Sequence, residues 1–501
     1  MSKNATPSDA APPIKAPGKP AGKPFKARQI ASGTFWAALD NWSQQIVQLV
    51  AFLYIGNVIG PAAMGVWGVA FLFANLMYAL LVNSFTEVVV QRRDLDEEHK
   101  EAAFWTVALL GFVAMLVGIA IAPLWGLAFG LPEVTLVLQL LSPIFVAYGV
   151  SSYYQAIVRR EMQFQILAFR SVVSVGLGAG VAIYFARQGF GVWSLVLFQL
   201  IWRFLDFFIL AVASRWAPRL RFSRRHFSEL LNFGGYSLGA SVISYFNANI
   251  DRYIVGFFLP KELIGLYIMA RRLVDSLIFA LTGVFVNVSL SVFSRLQDQP
   301  KKFRESVVTS TRLSALVGFP TFAGLAVVAD PLVRSFLSDQ WLGMIPLVQL
   351  LAIGGALTSV TYILGTAIRG AGRADLTFKI NFAMTVFRGL IFLAAIGAGI
   401  AAVAFMNAFA FLVMVPVTLF FLARVVGVKR GAVLSALLPS LWSTAAMVGV
   451  ALWAGHAAAA HLPPIWQLLI IVCSGVVTYS SVLAITNRSS IALLFGFLRE
   501  K

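Results

Sequence analysis

Residues 102–125 read AAFWTVALLGFVAMLVGIAIAPLW, a run of twenty-four residues without a charge. About 20 such residues, wound into a helix, cross the hydrocarbon of a bilayer. Thirteen more apolar spans accompany this one, near 31–58, 64–90, 134–156, 166–186, 190–213, 230–258, 264–292, 306–329, 343–368, 375–398, 401–423, 433–455 and 465–486. The composition agrees with the runs. Of 501 residues, 59% are hydrophobic and 12% charged, against roughly a quarter charged in a soluble domain. Backbone groups in lipid have no water to bond, so helices are the expected spanning element. The short alternating strands of a membrane barrel are absent. The fold expected is an all-α polytopic membrane protein of about 14 transmembrane helices.

The formal charge of +18 invites a nucleic-acid partner. That reading fails because the basic residues sit in short loops between apolar spans and form no single face. Their distribution instead orients the chain. The N-terminal tail, the even-numbered connections and the C-terminal tail hold 31 of the 39 lysines and arginines, with three of them assigned to the connection after the fourth span. The odd-numbered connections hold only Arg187, Lys261 and Arg334. Basic loops stay in the cytoplasm, so both termini are expected there, in a multi-pass protein of the cell inner membrane. Residues 1–29 lack the apolar core of a signal peptide and read as a disordered cytoplasmic tail. Lys19, Lys23, Lys26 and Arg28 in that tail suit anionic membrane lipids. No connection is long enough for a soluble domain. The single cysteine, Cys473, lies in an apolar run and permits neither an intrachain disulfide nor a Cys-based zinc site.

The chain also echoes itself. Residues 55–70 read IGNVIGPAAMGVWGVA and residues 255–270 read VGFFLPKELIGLYIMA, at an ungapped offset of 200. Gly56 pairs with Gly256, Gly65 with Gly265 and Ala70 with Ala270. Each segment ends an odd span, turns outside and starts the next. Two six-helix lobes of like topology follow, related by an axis along the membrane normal. The expected domains are helices 1–6 over 30–213, a basic cytoplasmic linker over 214–228, helices 7–12 over 229–424, and helices 13–14 with a short tail over 425–501.

Ionisable groups inside a span are costly and are usually retained for function. The spans hold Asp40, Glu87, Arg203, Asp206, Asp251, Arg252, Arg271, Arg272, Asp275 and Arg388. In the first span Asp40, Gln44 and Gln48 recur four apart, and residues four apart share a helix face. In the seventh, Ser237, Ser241, Ser244, Asn247 and Asp251 make a similar stripe, joined by Asn249 and Arg252. Such stripes line a wet cavity or hydrogen-bond between helices. Arg203 with Asp206, and Arg272 with Asp275, lie three apart and can neutralise each other along one helix. Arg388 has no acidic neighbour in sequence, so it calls for a distant carboxylate or an anionic ligand. A guanidinium suits phosphate because its fork donates two parallel hydrogen bonds. The substrate-binding candidates are therefore Arg388, Arg252, Arg271, Arg272, Arg203, Asn249, Gln44 and Gln48. Asp40, Glu87 and Asp251 are candidates for ion coupling, or counter-charges of those arginines. There is no HExxH, P-loop or Ser-His-Asp pattern, so no catalytic residue, metal site or cofactor is expected.

Residues 45–91, with Gly60-Pro61, Met64-Gly65 and the exit Val89-Val90-Gln91-Arg92, and the run from Asn249 through Asp251, Arg252 and Gly256 to Gly265 and Tyr267, resemble the polysaccharide-transporter branch of the multidrug, oligosaccharidyl-lipid and polysaccharide flippase superfamily. The resemblance covers the first twelve helices, and the last two match the fourteen-helix members. It implies a V-shaped pair of lobes around a cationic cavity. It further implies movement of sugar repeat units on undecaprenyl pyrophosphate from the cytoplasmic to the periplasmic leaflet, for exopolysaccharide or lipopolysaccharide synthesis. The cavity arginines would be Arg203, Arg252, Arg271, Arg272 and Arg388. Coupling to a proton or sodium ion, and partnership with a polysaccharide polymerase and export machinery, are implied by resemblance alone. A cation-coupled drug exporter and a peptidoglycan lipid-precursor flippase of the same superfamily are the alternatives. A polymerase or ligase would need a catalytic loop on the outer face, and the connections around 126–134 and 331–342 are too short to supply one, so no enzyme is expected.

Overall fold

The computed structural model describes residues 27–91, 97–214, 216–219, 224–459 and 462–486. Most of the expected tail, part of the basic linker, the last fifteen residues and the side chain of Glu87 lie outside the described residues. Among the described residues all regular structure is helical. The helices are α1 (Ala27–Gln91), α2 (Glu97–Ala128), α3 (Glu133–Leu141), α4 (Ile144–Arg160), α5 (Phe164–Arg187), α6 (Trp193–Ala213), α7 (Arg224–Phe258), α8 (Lys261–Arg295), α9 (Pro300–Phe336), α10 (Ile345–Gly370), α11 (Ala374–Ala395), α12 (Ile400–Val426), α13 (Arg430–Ala459) and α14 (Pro464–Thr486).

Two expected spans form the two arms of α1. They meet at Gly60, whose φ of +83° only glycine adopts without strain, with Pro61 opening the second arm. One expected span is divided, because Pro143 offers no N–H and α3 stops before it. Among the described residues, eleven helices are long and apolar enough to cross a membrane on length and composition alone. The two arms of α1 count there as one, and α7 and α8 are not among the eleven. Their polar groups turn inward: Asp251 is fully buried, and Asn249 and Arg271 are each 7% exposed.

The packing starts from α1. It lies against α5, α4, α7 and α8, while α10 gathers α8, α9 and α12. The second arm of α1 crosses α8 with backbone on backbone. A Cβ on Gly65 would lie 1.9 Å from the Lys261 carbonyl oxygen, and one on Gly265 would lie 1.9 Å from the Pro61 oxygen. Position 61 is to 261 as 65 is to 265, so the two contacts are one contact seen twice. Gly68 faces Ile268 on the axis, and Gly56 against Met269 mirrors Gly256 against Val69. The offset of 200 in the sequence is thus a two-fold relation in space. Only glycine lets the two backbones approach this closely.

Polar ties surround the crossing. Lys261 Nζ meets Glu133 Oε1 at 2.8 Å. Asn57 Oδ1 accepts from the Ser338 N–H at 2.7 Å, and Gln340 Nε2 donates to the Asn57 carbonyl at 3.1 Å. Tyr245 Oη donates to the Leu72 carbonyl. The last two helices pack on each other and on α9, where Val328, Ala451 and Ile471 form a small buried cluster and Tyr479 Oη donates to the Leu316 carbonyl at 2.7 Å.

Candidate functional site

Beneath the crossing, α1, α6, α7 and α8 enclose a cavity of about 200 Å³. Its wall includes Gln48 and Asn75 of α1, Gln199, Trp202 and Arg203 of α6, Arg252 of α7, and Arg272 and Asp275 of α8. Each arginine is held by a different device. Arg203 lies 3.5 Å from the centre of the Trp202 ring and 4.6 Å from that of Tyr148. Arg272 Nη2 donates to Gln48 Oε1 at 3.2 Å, with its guanidinium 5.5 Å from the centre of Phe52. Arg252 donates to Asn249 Oδ1 at 2.7 Å and pairs with Asp275. An aromatic face holds a cation without consuming its N–H donors. Arg203 and Arg272 therefore keep hydrogen-bonding capacity for a ligand.

Two buried networks flank the cavity. In one, Arg170 of α5 joins two carboxylates. Its Nε lies 3.1 Å from Asp206 Oδ1, its Nη1 donates to Asp206 Oδ2 at 3.2 Å, and its Nη2 lies 3.5 Å from Asp40 Oδ1. Ser171 donates to Asp40 and accepts from Arg170, and Gln44 donates to Asp40 at 3.1 Å. Asp40, Arg170 and Asp206 are all 5% exposed or less. In the other, Asp251 accepts from Tyr267 Oη at 2.7 Å and pairs with Arg271 at 3.3 Å, and Arg271 reaches Asp275 at 3.6 Å. Asn407 of α12 donates to Asp251 at 3.4 Å. Arg388, 4% exposed, donates to the Asn247 carbonyl and lies 5.2 Å from the centre of Phe411. Its Nε and Nη2 have no hydrogen-bond partner. Among the described residues that line the cavity, three arginines, Arg203, Arg252 and Arg272, face one carboxylate, Asp275.

The sequence candidates thus separate into groups. Arg203, Arg252, Arg272 and Gln48 come together on the cavity wall, with Asn249 behind Arg252. Arg271, Arg388 and Asp251 sit in the second network, away from that wall, and Gln44 and Asp40 sit in the first. The three-apart pairs expected along single helices give way to other partners, two of them between helices (Arg170 with Asp206, Arg252 with Asp275) and one along α8 (Arg271 with Asp275). Asp206 takes Arg170 instead of Arg203, and Asp275 takes Arg252 and Arg271 instead of Arg272. Arg170 is the residue that sequence reasoning missed. It had been assigned to the cytoplasmic connection with Arg159 and Arg160, although it lies inside the span that starts near 166. The signal available was Asp40 itself, a mid-span carboxylate without a counter-charge on its own helix.

The profile of the polysaccharide biosynthesis protein family matches residues 56–346, more than half of the chain. The teichuronic acid biosynthesis protein TuaB of Bacillus subtilis (strain 168) is 25% identical over 430 residues, covering 85% of this chain and 88% of TuaB. The lipopolysaccharide biosynthesis protein WzxC of Escherichia coli (strain K12) is 23% identical, covering 74% of each. Among solved structures, the lipid II flippase MurJ in an inward closed conformation superposes with a TM-score of 0.73 over 91% of this chain and 99% of MurJ. At 15% identity that likeness speaks for the fold alone. The matched segment spans the glycine crossing, and the chain belongs to the polysaccharide biosynthesis protein family.

Proposed function

We propose that this protein is a flippase that carries oligosaccharide repeat units on undecaprenyl pyrophosphate from the cytoplasmic to the periplasmic leaflet of the inner membrane. The polymer served is an exopolysaccharide or a lipopolysaccharide. In this reading the chain crosses fourteen times with both termini in the cytoplasm, and α1–α6 and α7–α12 form two lobes with the cavity between them. The observation that carries it is the surplus of arginine over carboxylate around that cavity. A lipid-linked diphosphate carries two negative charges, which equals the surplus. Moving an oligosaccharide through hydrocarbon leaves its hydroxyls unbonded, at several kcal/mol for each. A polar groove removes much of that barrier while the lipid tail stays outside. The glycine crossing closes the periplasmic side, and the small cavity requires the lobes to part before a sugar head enters. A cationic drug would meet the same arginine surplus as repulsion, which disfavours the exporter. Asp40 and Asp251 act here as counter-ions of Arg170 and Arg271, and Arg388 adds to the cationic field from behind the wall.

The test uses farnesyl diphosphate, a short-chain lipid diphosphate. Arg252→Gln and Arg272→Gln each weaken its binding about tenfold, the loss expected for a charge-assisted hydrogen bond. Arg388→Gln changes it by less than about threefold on the same scale. A deletion strain accumulates a lipid-linked sugar on the inner leaflet. Unchanged affinity in both cavity variants, or no such accumulation, would exclude the reading.

A further inference from the structure

The two sides of the cavity differ in chemistry. The α7 and α8 side offers charge, through Arg252, Arg272 and Asp275. The α6 side offers neutral polar atoms without a hydrogen-bond partner among the described residues. Trp202 is 4% exposed and Gln199 is 6% exposed. Trp202 Nε1, a donor, has no acceptor, and Gln199 Oε1, an acceptor, has no donor. Buried polar atoms are nearly always bonded, so each exception needs an explanation. Positions 199 and 202 are three apart and share one face of the helix. Both residues line the cavity next to Arg203.

Nor is the Trp202 ring free to act as a stacking platform. Arg203 lies 3.5 Å from its centre, and Phe198 stacks at 5.7 Å between centroids. What remains for a ligand is the indole edge. A donor and an acceptor carried on one helix face are matched by an alcohol, whose oxygen accepts from the indole N–H while its own hydrogen goes to an amide oxygen. Sugars supply such groups, and lipid tails do not.

We infer that Trp202 and Gln199 form a sugar-hydroxyl subsite that selects the sugar bonded directly to the diphosphate. The inference rests on the flippase reading. The diphosphate faces Arg252 and Arg272, and the first sugar lies against α6. Gln199 and Trp202 adjoin Arg203 on the wall that also carries Arg252 and Arg272, so once the lobes part the sugar that meets them is the one adjoining the phosphates. A site built to bond a hydroxyl rejects analogues without it far more strongly than an apolar pocket rejects a size change. Trp202 and Gln199 are then specificity determinants.

The experiment uses purified full-length protein and farnesyl diphosphate conjugates of glucose, galactose and their single-deoxy analogues. Wild type is expected to bind one hexose at least about tenfold more tightly than one of its deoxy analogues. Trp202→Phe keeps the ring and its contact with Arg203 and removes only the donor. Gln199→Met keeps the length and removes the acceptor. Each variant is expected to bring that ratio to about one. Two results overturn the inference: both variants keep the wild-type ratio, or wild type binds every conjugate alike. If wild type fails to bind even farnesyl diphosphate, the flippase reading falls first and takes the subsite with it.

Discussion

On the proposed flippase reading, Gly65→Ala is expected to abolish transport and to leave the cavity open on the side proposed as periplasmic. The added carbon would lie 1.9 Å from the Lys261 carbonyl oxygen, 2.8 Å from its carbon and 3.0 Å from its Cα. All three are backbone atoms, so no side chain can rotate away and the two helices must separate. Overpacking costs about 1–3 kcal/mol, and more where the neighbour cannot yield. One to two powers of ten in a two-state equilibrium correspond to about 1.4–2.8 kcal/mol. The closed arrangement therefore loses most of its population. Gly265→Ala does the same against Pro61, and the equality of the two effects is itself a test of the two-fold relation. Gly324→Ala, where nothing lies within 4 Å, serves as the tolerant control. The readout is a Gln48→Cys reporter in a Cys473→Ala background. Its labelling by a membrane-impermeant maleimide from outside rises at least about tenfold, and flipping falls by a similar factor. Wild-type transport with a protected reporter in both glycine variants would refute the gate.

Arg170→Met is expected to destabilise the protein more than any cavity substitution. It removes the guanidinium that pairs with both Asp40 and Asp206, which stay buried. Breaking a buried ion cluster from one side costs about 3–5 kcal/mol, because the remaining charge stays desolvated. A lower unfolding midpoint in detergent and a poor yield follow. Arg170→Lys recovers little, since an ammonium lacks the planar fork that engages both carboxylates. Restoring neutrality is the sharper test. Arg170→Met combined with Asp40→Asn and Asp206→Asn recovers most of the lost midpoint. If Arg170→Met alone unfolds like wild type, the network contributes no stability and the assignment is wrong.

Much of the fold was legible because membrane helices are written locally. The apolar spans fall on helices, one of them divided at Pro143, and Gly60-Pro61 marked the break in α1. The offset of 200 was legible through Gly65 and Gly265, and these two are where the backbones touch. The site was legible in kind but not in pairing. Composition and span position placed Arg203, Arg252 and Arg272 within the membrane, yet which arginine meets which carboxylate depends on helices far apart in sequence. Arg170 escaped because an arginine near a span end reads as a group that snorkels to the interface. Only the packing of α5 against α1 and α6 turns it inward. Arg388 shows the converse. Without an acidic neighbour in sequence it stood out as a ligand group, but the nearest carboxylate lies on α7, more than a hundred residues away.

A contact in which residue 65 meets 261 while residue 265 meets 61 is the one that a six-helix ancestor would make with its own twin. Duplication would have fused that pair into one polypeptide and freed each copy to diverge. In that reading Trp202 and Gln199 belong to the first copy, and Arg252, Arg271 and Arg272 to the second. What neither copy was free to alter is the hydrogen where the twins still touch.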